Sequence, residues 1–155
     1  MDLQLGGISI PLRSGALIPV LVMIPNVIWM LLPKVEAGEQ DAEPLALTIV
    51  ENLGRTAVLI LPFFYTLDLS RTGGVVVAVG MGAALAIYYA AWVRYFVRGR
   101  PPELFRAPLL GIPLPLAVAP IVFLTLSSYL MGSWWMLGAS ILFGVAHVWV
   151  SALSL

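Results

Sequence analysis

The chain has 155 residues, of which 61% are hydrophobic and only 10% are charged. Eight Lys and Arg residues balance eight Asp and Glu residues, so the formal net charge is zero. A soluble domain normally carries about 25% charged residues. This composition excludes a soluble globular domain and predicts an integral membrane protein whose main partner is the lipid bilayer.

The residue types present also exclude several kinds of site. The absence of cysteine removes disulfide scaffolds, thiolate metal sites and cysteine nucleophiles. One histidine and few acids disfavour a metal cage built from protein ligands. A net charge of zero argues against nucleic acid, and no glycine-rich phosphate-binding loop is present. We therefore expect no metal, no cofactor and no nucleic-acid partner, and we assign no catalytic residue.

Five apolar segments follow one another along the chain. A transmembrane helix needs roughly 20 mostly apolar residues. A tight turn at Gly132 separates the last two segments, because one helix across both would be about twice the bilayer thickness. We predict one all-α transmembrane domain over residues 1–155, a bundle of five membrane-spanning helices. The predicted helices are 15–33, 45–67, 73–93, 108–131 and 133–153.

Basic residues set the predicted orientation of this bundle. Cytoplasmic loops of membrane proteins carry an excess of Lys and Arg. With five crossings, one side carries five basic residues: Lys34, Arg94, Arg98, Arg100 and Arg106. The other side carries only Arg13 and Arg71. We predict a multi-pass protein of the plasma or inner membrane, with the N-terminus outside and the C-terminus in the cytoplasm.

The second segment contains the two charges that lie furthest from any predicted loop. Glu51 and Arg55 are spaced i, i+4 with the acid first, the favourable order for an ion pair within a helix. A charge near the bilayer centre costs at least about 2.5–3.5 kcal/mol, so such charges pair or line a wet cavity. The pair therefore marks either a functional site or a packing contact.

Other polar side chains fall at a similar depth when about 1.5 Å is counted for each helical residue. Polar residues from four helices fall in one layer, which suggests a buried polar site in the cytoplasmic half of the membrane. The candidate ligand-binding residues are Asn26, Glu51, Asn52, Arg55, Tyr88, Tyr89 and His147. Structural alternatives stay open: Asn26 caps a carbonyl freed by a proline, His147 is a satisfied interior histidine, and the tyrosines belong to an interfacial aromatic belt with Trp92 and Tyr95.

Small residues recur every four positions in the third segment. Gly82, Ala86 and Ala90 form one smooth stripe, and such stripes let helices approach closely in membranes. We expect the stripe to pack against another helix of the same chain or to form the seam of a homodimer.

Several short motifs spread over most of the chain resemble a group of small, uncharacterised bacterial membrane proteins. They are Ile24-Pro25-Asn26, Glu51-Asn52-Leu53-Gly54-Arg55, Trp92, Pro120-Ile121-Val122-Phe123, and Ala146-His147 followed by Ser151. The resemblance implies a polytopic protein of the bacterial inner membrane. It implies no activity and therefore adds no mechanism.

Three functions fit the polar layer. The first is a carrier or ligand-binding protein, in which Arg55 holds a small polar or anionic molecule and Glu51 or His147 exchanges protons. The second is a non-catalytic scaffold or subunit that binds a partner helix. The third is a membrane-embedded enzyme acting on a lipid, with His147 or Glu51 as general base.

Overall fold

Five α-helices follow a short β-hairpin in the part of the chain that the structure describes. The computed structural model describes residues 2–5, 8–11, 13–33 and 45–153. The antiparallel hairpin joins β1 (Asp2–Leu5) and β2 (Ile8–Pro11). The helices are α1 (Leu17–Leu31), α2 (Leu45–Ile60), α3 (Gly74–Val97), α4 (Pro115–Met131) and α5 (Trp134–Leu153). The helical architecture agrees with the sequence prediction, whereas the hairpin was not predicted.

Three of these helical segments are long and apolar enough to cross a membrane. They are Leu45–Phe64, Gly74–Val97 and Trp134–Ala152. The helices α1 and α4 are apolar but shorter, with 15 and 17 residues. Insertion of the three longer segments is therefore consistent with the fold, while five crossings stay a prediction.

The starts and ends of the helices differ from the predicted ones where proline and left-handed backbone intervene. The predicted start of the fourth helix at residue 108 is wrong, because Leu109 and Ile112 pair in a tight turn and Leu114 adopts a φ of +47°. The helix begins at Pro115, a residue suited to a first turn. In the second segment the α-helix ends at Ile60, and a 3₁₀ turn at Leu61–Phe64 continues it.

Hydrogen bonds at the two ends of the bundle show that successive helices run in opposite directions. At one end the Gly15 amide donates to the carbonyl of Tyr65 at 3.0 Å, before α1 and after α2. At the other end Arg100 donates to the carbonyl of Pro33 at 2.7 Å, after α3 and after α1. Arg94 there binds the carbonyl of Pro108 at 2.8 Å, ahead of α4. The up-and-down order places the polar residues of different helices at comparable heights.

The core lies between α3 and α4, with α2 packed on α5. On α3 the buried positions alternate by threes and fours, which is the spacing of one helix face. They include Met81, Ala84, Tyr88, Ala91 and Tyr95. This spacing leaves the opposite face of α3 to the outside.

The predicted packing stripe lies on that outer face. Gly82, Ala86 and Ala90 are exposed, and a Cβ atom added at Gly82 would meet nothing within 4 Å. The expectation that the stripe packs within the chain is therefore wrong for the described residues. The residues of α3 that pack in the core lie on the other face and include the larger Met81 and Tyr88 together with Ala84.

Candidate functional site

A glycine lets α2 and α5 approach closely enough to bring their polar side chains together. Gly54 faces Phe143, and a Cβ atom on Gly54 would lie 2.8 Å from the Phe143 Cα and 2.9 Å from its N. Real Cβ atoms essentially never come that close to backbone. One turn earlier on α2, Glu51 is buried on the same face and lies opposite His147. The close crossing at Gly54 is thus the structural basis of the site.

Glu51 links its own helix to α5 through a single carboxylate oxygen. Oε1 accepts a hydrogen bond from Nη2 of Arg55 and lies 2.8 Å from Nδ1 of His147. The Glu51 residue is only 5% exposed, so its charge is compensated inside the protein. This geometry agrees with the ion pair predicted from the i, i+4 spacing and adds His147 as a direct partner.

The guanidinium of Arg55 is held in place but remains open on one side. Nη1 lies 3.4 Å from Oδ1 of Asn52, and the group sits over the Phe143 ring at 5.9 Å from the centroid. The Arg55 side chain is nevertheless 46% exposed. Phe143 also stacks on His147, with ring centroids 4.9 Å apart. Arg55 thus presents part of a positioned, positively charged donor surface to the outside of the chain.

The remaining predicted residues form a separate group between α1 and α3. Nδ2 of Asn26 donates to the Tyr88 hydroxyl at 2.7 Å and to the carbonyl of Val22 at 2.9 Å. The Tyr88 hydroxyl in turn donates to the Val22 carbonyl at 3.2 Å. Among the described residues, no hydrogen bond connects Asn26 or Tyr88 to Glu51, Arg55 or His147. The seven predicted residues therefore form two clusters.

The tyrosine beside Tyr88 explains how α1 tolerates a proline in its interior. Pro25 has no amide hydrogen, so the carbonyl of Leu21, four residues earlier, loses its helical partner. The Tyr89 hydroxyl donates to that carbonyl at 2.8 Å. The alternative that Asn26 caps the freed carbonyl is wrong, because Asn26 binds Val22. Tyr89 thus satisfies the backbone of a neighbouring helix.

The aromatic side chains near the end of α3 pack inside the bundle. Tyr88, Trp92 and Tyr95 are buried, and the Trp92 ring stacks on Phe96 at 5.2 Å and meets Phe105 edge-on at 6.1 Å. The expectation of an interfacial belt is therefore wrong for these three residues. They form a core cluster that connects α3 to the segment before α4.

An apolar surface groove lies away from the candidate residues. It runs between α4 and α5, has a volume of about 590 Å³, and is lined almost entirely by apolar atoms. Ile121, Gly144 and Trp149 are among its lining residues, whereas Glu51, Arg55 and His147 are not. A ligand of the α2–α5 site would therefore bind at the open side of Arg55 and not in this groove.

Within the described residues, no three His, Asp or Glu side chains are placed to hold a metal ion together.

Sequence reasoning missed Gly54 and Phe143 as parts of the site. A signal for Phe143 was available, because it precedes His147 by one helical turn.

No protein-family model, curated protein or solved structure matches the chain, so the resemblance described above stays a prediction.

Proposed function

We propose that this chain is a multi-pass membrane protein that binds a small anionic or polar molecule at Arg55. The single observation that supports the proposal is the combination of a buried Glu51 with a half-exposed Arg55 that it holds in position. The basic residues predict that the N-terminus lies outside and the C-terminus in the cytoplasm. The resemblance to small bacterial membrane proteins implies that the membrane is a bacterial inner membrane.

The position of Arg55 along its helix explains why an exposed guanidinium calls for a ligand. Arg55 lies ten residues into the apolar segment Leu45–Phe64, about 15 Å at 1.5 Å per residue, near the middle of a crossing helix. A charged side chain exposed there costs at least about 2.5–3.5 kcal/mol unless it is paired with an opposite charge or hydrated. Within the described residues, Glu51 and Asn52 accept from two of the guanidinium N–H donors, and the other donors have no partner there. An anion or polar group at the open side would satisfy those donors.

Binding near mid-depth is also what a carrier requires. Substrate sites of transporters lie near the bilayer midplane, between helices that move relative to one another. The site sits at the crossing of α2 and α5 and includes an ionisable histidine. We therefore favour carriage of the bound molecule over storage or sensing.

Thermal stability of the purified full chain in detergent tests the proposal. A ligand present at 100 times its dissociation constant stabilises the folded state by about 2.7 kcal/mol. We expect sodium benzoate or phosphate, at constant ionic strength, to raise the Tm of the wild type and of Arg98→Gln. Arg98 is an exposed arginine just after α3 and serves as the matched control.

Substitutions at Arg55 separate charge from geometry. Arg55→Lys keeps the charge but loses the planar fork, so we expect a folded protein with weaker stabilisation by benzoate. Arg55→Gln should show no stabilisation by benzoate. Equal stabilisation of Arg55→Gln and the wild type, or no anion effect on the wild type, would contradict the proposal.

The outward-facing stripe on α3 favours a scaffold or subunit as a second candidate. Gly82, Ala86 and Ala90 expose a smooth helix face that another helix could approach closely. Gly82→Leu and Ala86→Leu should then abolish self-association or partner binding in detergent without lowering the Tm. Unchanged assembly in both variants would argue against it.

A further inference from the structure

The imidazole of His147 joins the site through one ring nitrogen only. Nδ1 lies 2.8 Å from Oε1 of Glu51. An ionised carboxylate only accepts hydrogen bonds, so Nδ1 carries the hydrogen and Nε2 is the unprotonated nitrogen of the neutral ring. In the described part of the chain no hydrogen bond reaches Nε2, and the side chain is 25% exposed. A proton can add at Nε2 while the bond to Glu51 remains.

Within the described residues, the charged groups that face His147 both belong to α2. They are the carboxylate of Glu51 and the guanidinium of Arg55. No other residue of α5 is ionisable. The helix α4 also packs on α5, and its only ionisable side chain is Tyr129, whose hydroxyl donates to the carbonyl of Thr72. The site therefore has zero net charge with neutral His147 and a charge of +1 with protonated His147.

We infer that the site binds one monovalent anion together with one proton. The anion lies on the open side of Arg55, and the proton, taken from water, adds at Nε2 of His147. This inference rests on the anion site proposed above. With both bound the net charge is zero, whereas either one alone leaves an uncompensated charge in an apolar layer, where charge is costly.

The same charge balance selects the class of anion. A divalent anion with one proton would leave a negative charge at the site, whereas a monovalent anion leaves none. Among monovalent anions, a carboxylate has two oxygens that match the planar fork of a guanidinium. The substrate class is therefore a small monocarboxylate, bound in preference to phosphate in its divalent form.

Coupling of the two binding events has a measurable consequence. By thermodynamic linkage, a site that takes up one proton with each anion loses affinity about tenfold for each unit of pH rise, over the range where His147 is neutral without the anion. A site without coupling shows no such slope.

Titration calorimetry of the full chain in detergent with benzoate tests the inference. Repeating the titration at one pH in buffers of different ionisation enthalpy gives the number of protons taken up per benzoate. We expect about one for the wild type, by the linkage above. For His147→Gln we expect weaker binding with no proton uptake. Arg55→Gln, in which benzoate should not bind, controls for partition into the micelle.

The outcomes separate this inference from the proposed function. Benzoate binding to the wild type without proton uptake would overturn the coupling and leave the anion site standing. One proton taken up by His147→Gln would overturn the role of His147. Absence of benzoate binding by the wild type, with phosphate bound, would overturn the substrate class, and absence of all anion binding would remove the site itself.

A second measurement needs no variant, because the chain has one histidine. In ¹⁵N-histidine-labelled wild type at constant pH, saturating benzoate should convert the ring from the neutral Nδ1–H form to the imidazolium. A ring that stays neutral when benzoate is bound would refute the inference even if every variant at position 147 failed to fold.

Discussion

Gly54→Ala tests whether the close crossing of α2 and α5 builds the site. The added Cβ atom would lie 2.8–2.9 Å from the Cα, Cβ and N of Phe143. Carbon atoms in good contact are about 3.5–4.0 Å apart. Because two of the three opposing atoms are backbone, no rotamer change relieves the overlap. The two helices must therefore separate.

Two opposing effects determine how much Gly54→Ala changes the free energy of unfolding. Replacing glycine by alanine inside a helix gains up to about 1 kcal/mol in helix propensity. Overpacking a well-packed contact costs about 1–3 kcal/mol. We therefore expect a net destabilisation of up to about 2 kcal/mol, which at its maximum corresponds to a Tm lower by roughly 4–8 °C for a chain of this size.

The assay combines thermal unfolding in detergent with the ¹⁵N signal of His147. Separation of the helices should lengthen the 2.8 Å contact between Glu51 and His147 beyond hydrogen-bond range and shift the Nδ1 signal. Gly138→Ala is the matched control, because Gly138 lies on α5 with nothing within 4 Å of an added Cβ atom. A Gly54→Ala protein as stable as Gly138→Ala, with an unchanged His147 signal, would show that the close crossing at Gly54 does not build the site.

Two further predictions concern contacts outside the α2–α5 site. Tyr88→Phe removes the hydroxyl that bonds to Asn26 and Val22, so unfolding should become easier by about 1–3 kcal/mol, at roughly 0.5–1.5 for each bond. Benzoate binding should be unchanged, and its loss would show that the two polar clusters are coupled. Gly132→Ala places a Cβ atom at a φ of +61° in the turn between α4 and α5, at a cost of roughly 1–2 kcal/mol. A Tm equal to that of the wild type would contradict the left-handed turn.

The helices and the ion pair were accessible to sequence reasoning because they depend on neighbours in the chain. Apolar runs mark the helices, and the i, i+4 spacing of Glu51 and Arg55 places both side chains on one helix face. The grouping of His147 with this pair was predicted only from its depth along its helix. These three residues do meet in the structure.

The grouping of the other polar residues was not accessible in the same way. Counting residues along a helix gives height in the membrane but not the direction in which a side chain points around the bundle. Asn26 and Tyr88 lie at the predicted height, yet they join α1 to α3 and not α2 to α5. The outward direction of Gly82 was hidden for a related reason, since lipid-facing and helix-facing positions are both apolar.

Benzoate titration of the wild-type protein, followed by the ¹⁵N shifts of His147, tests whether Glu51, Arg55 and His147 form one site that binds a small anion. We expect the His147 signals to shift and saturate with benzoate in the wild type and to stay unchanged in Arg55→Gln. A wild-type signal that responds to neither benzoate nor phosphate, or an equal response in Arg55→Gln, would show that the three residues do not form an anion-binding site.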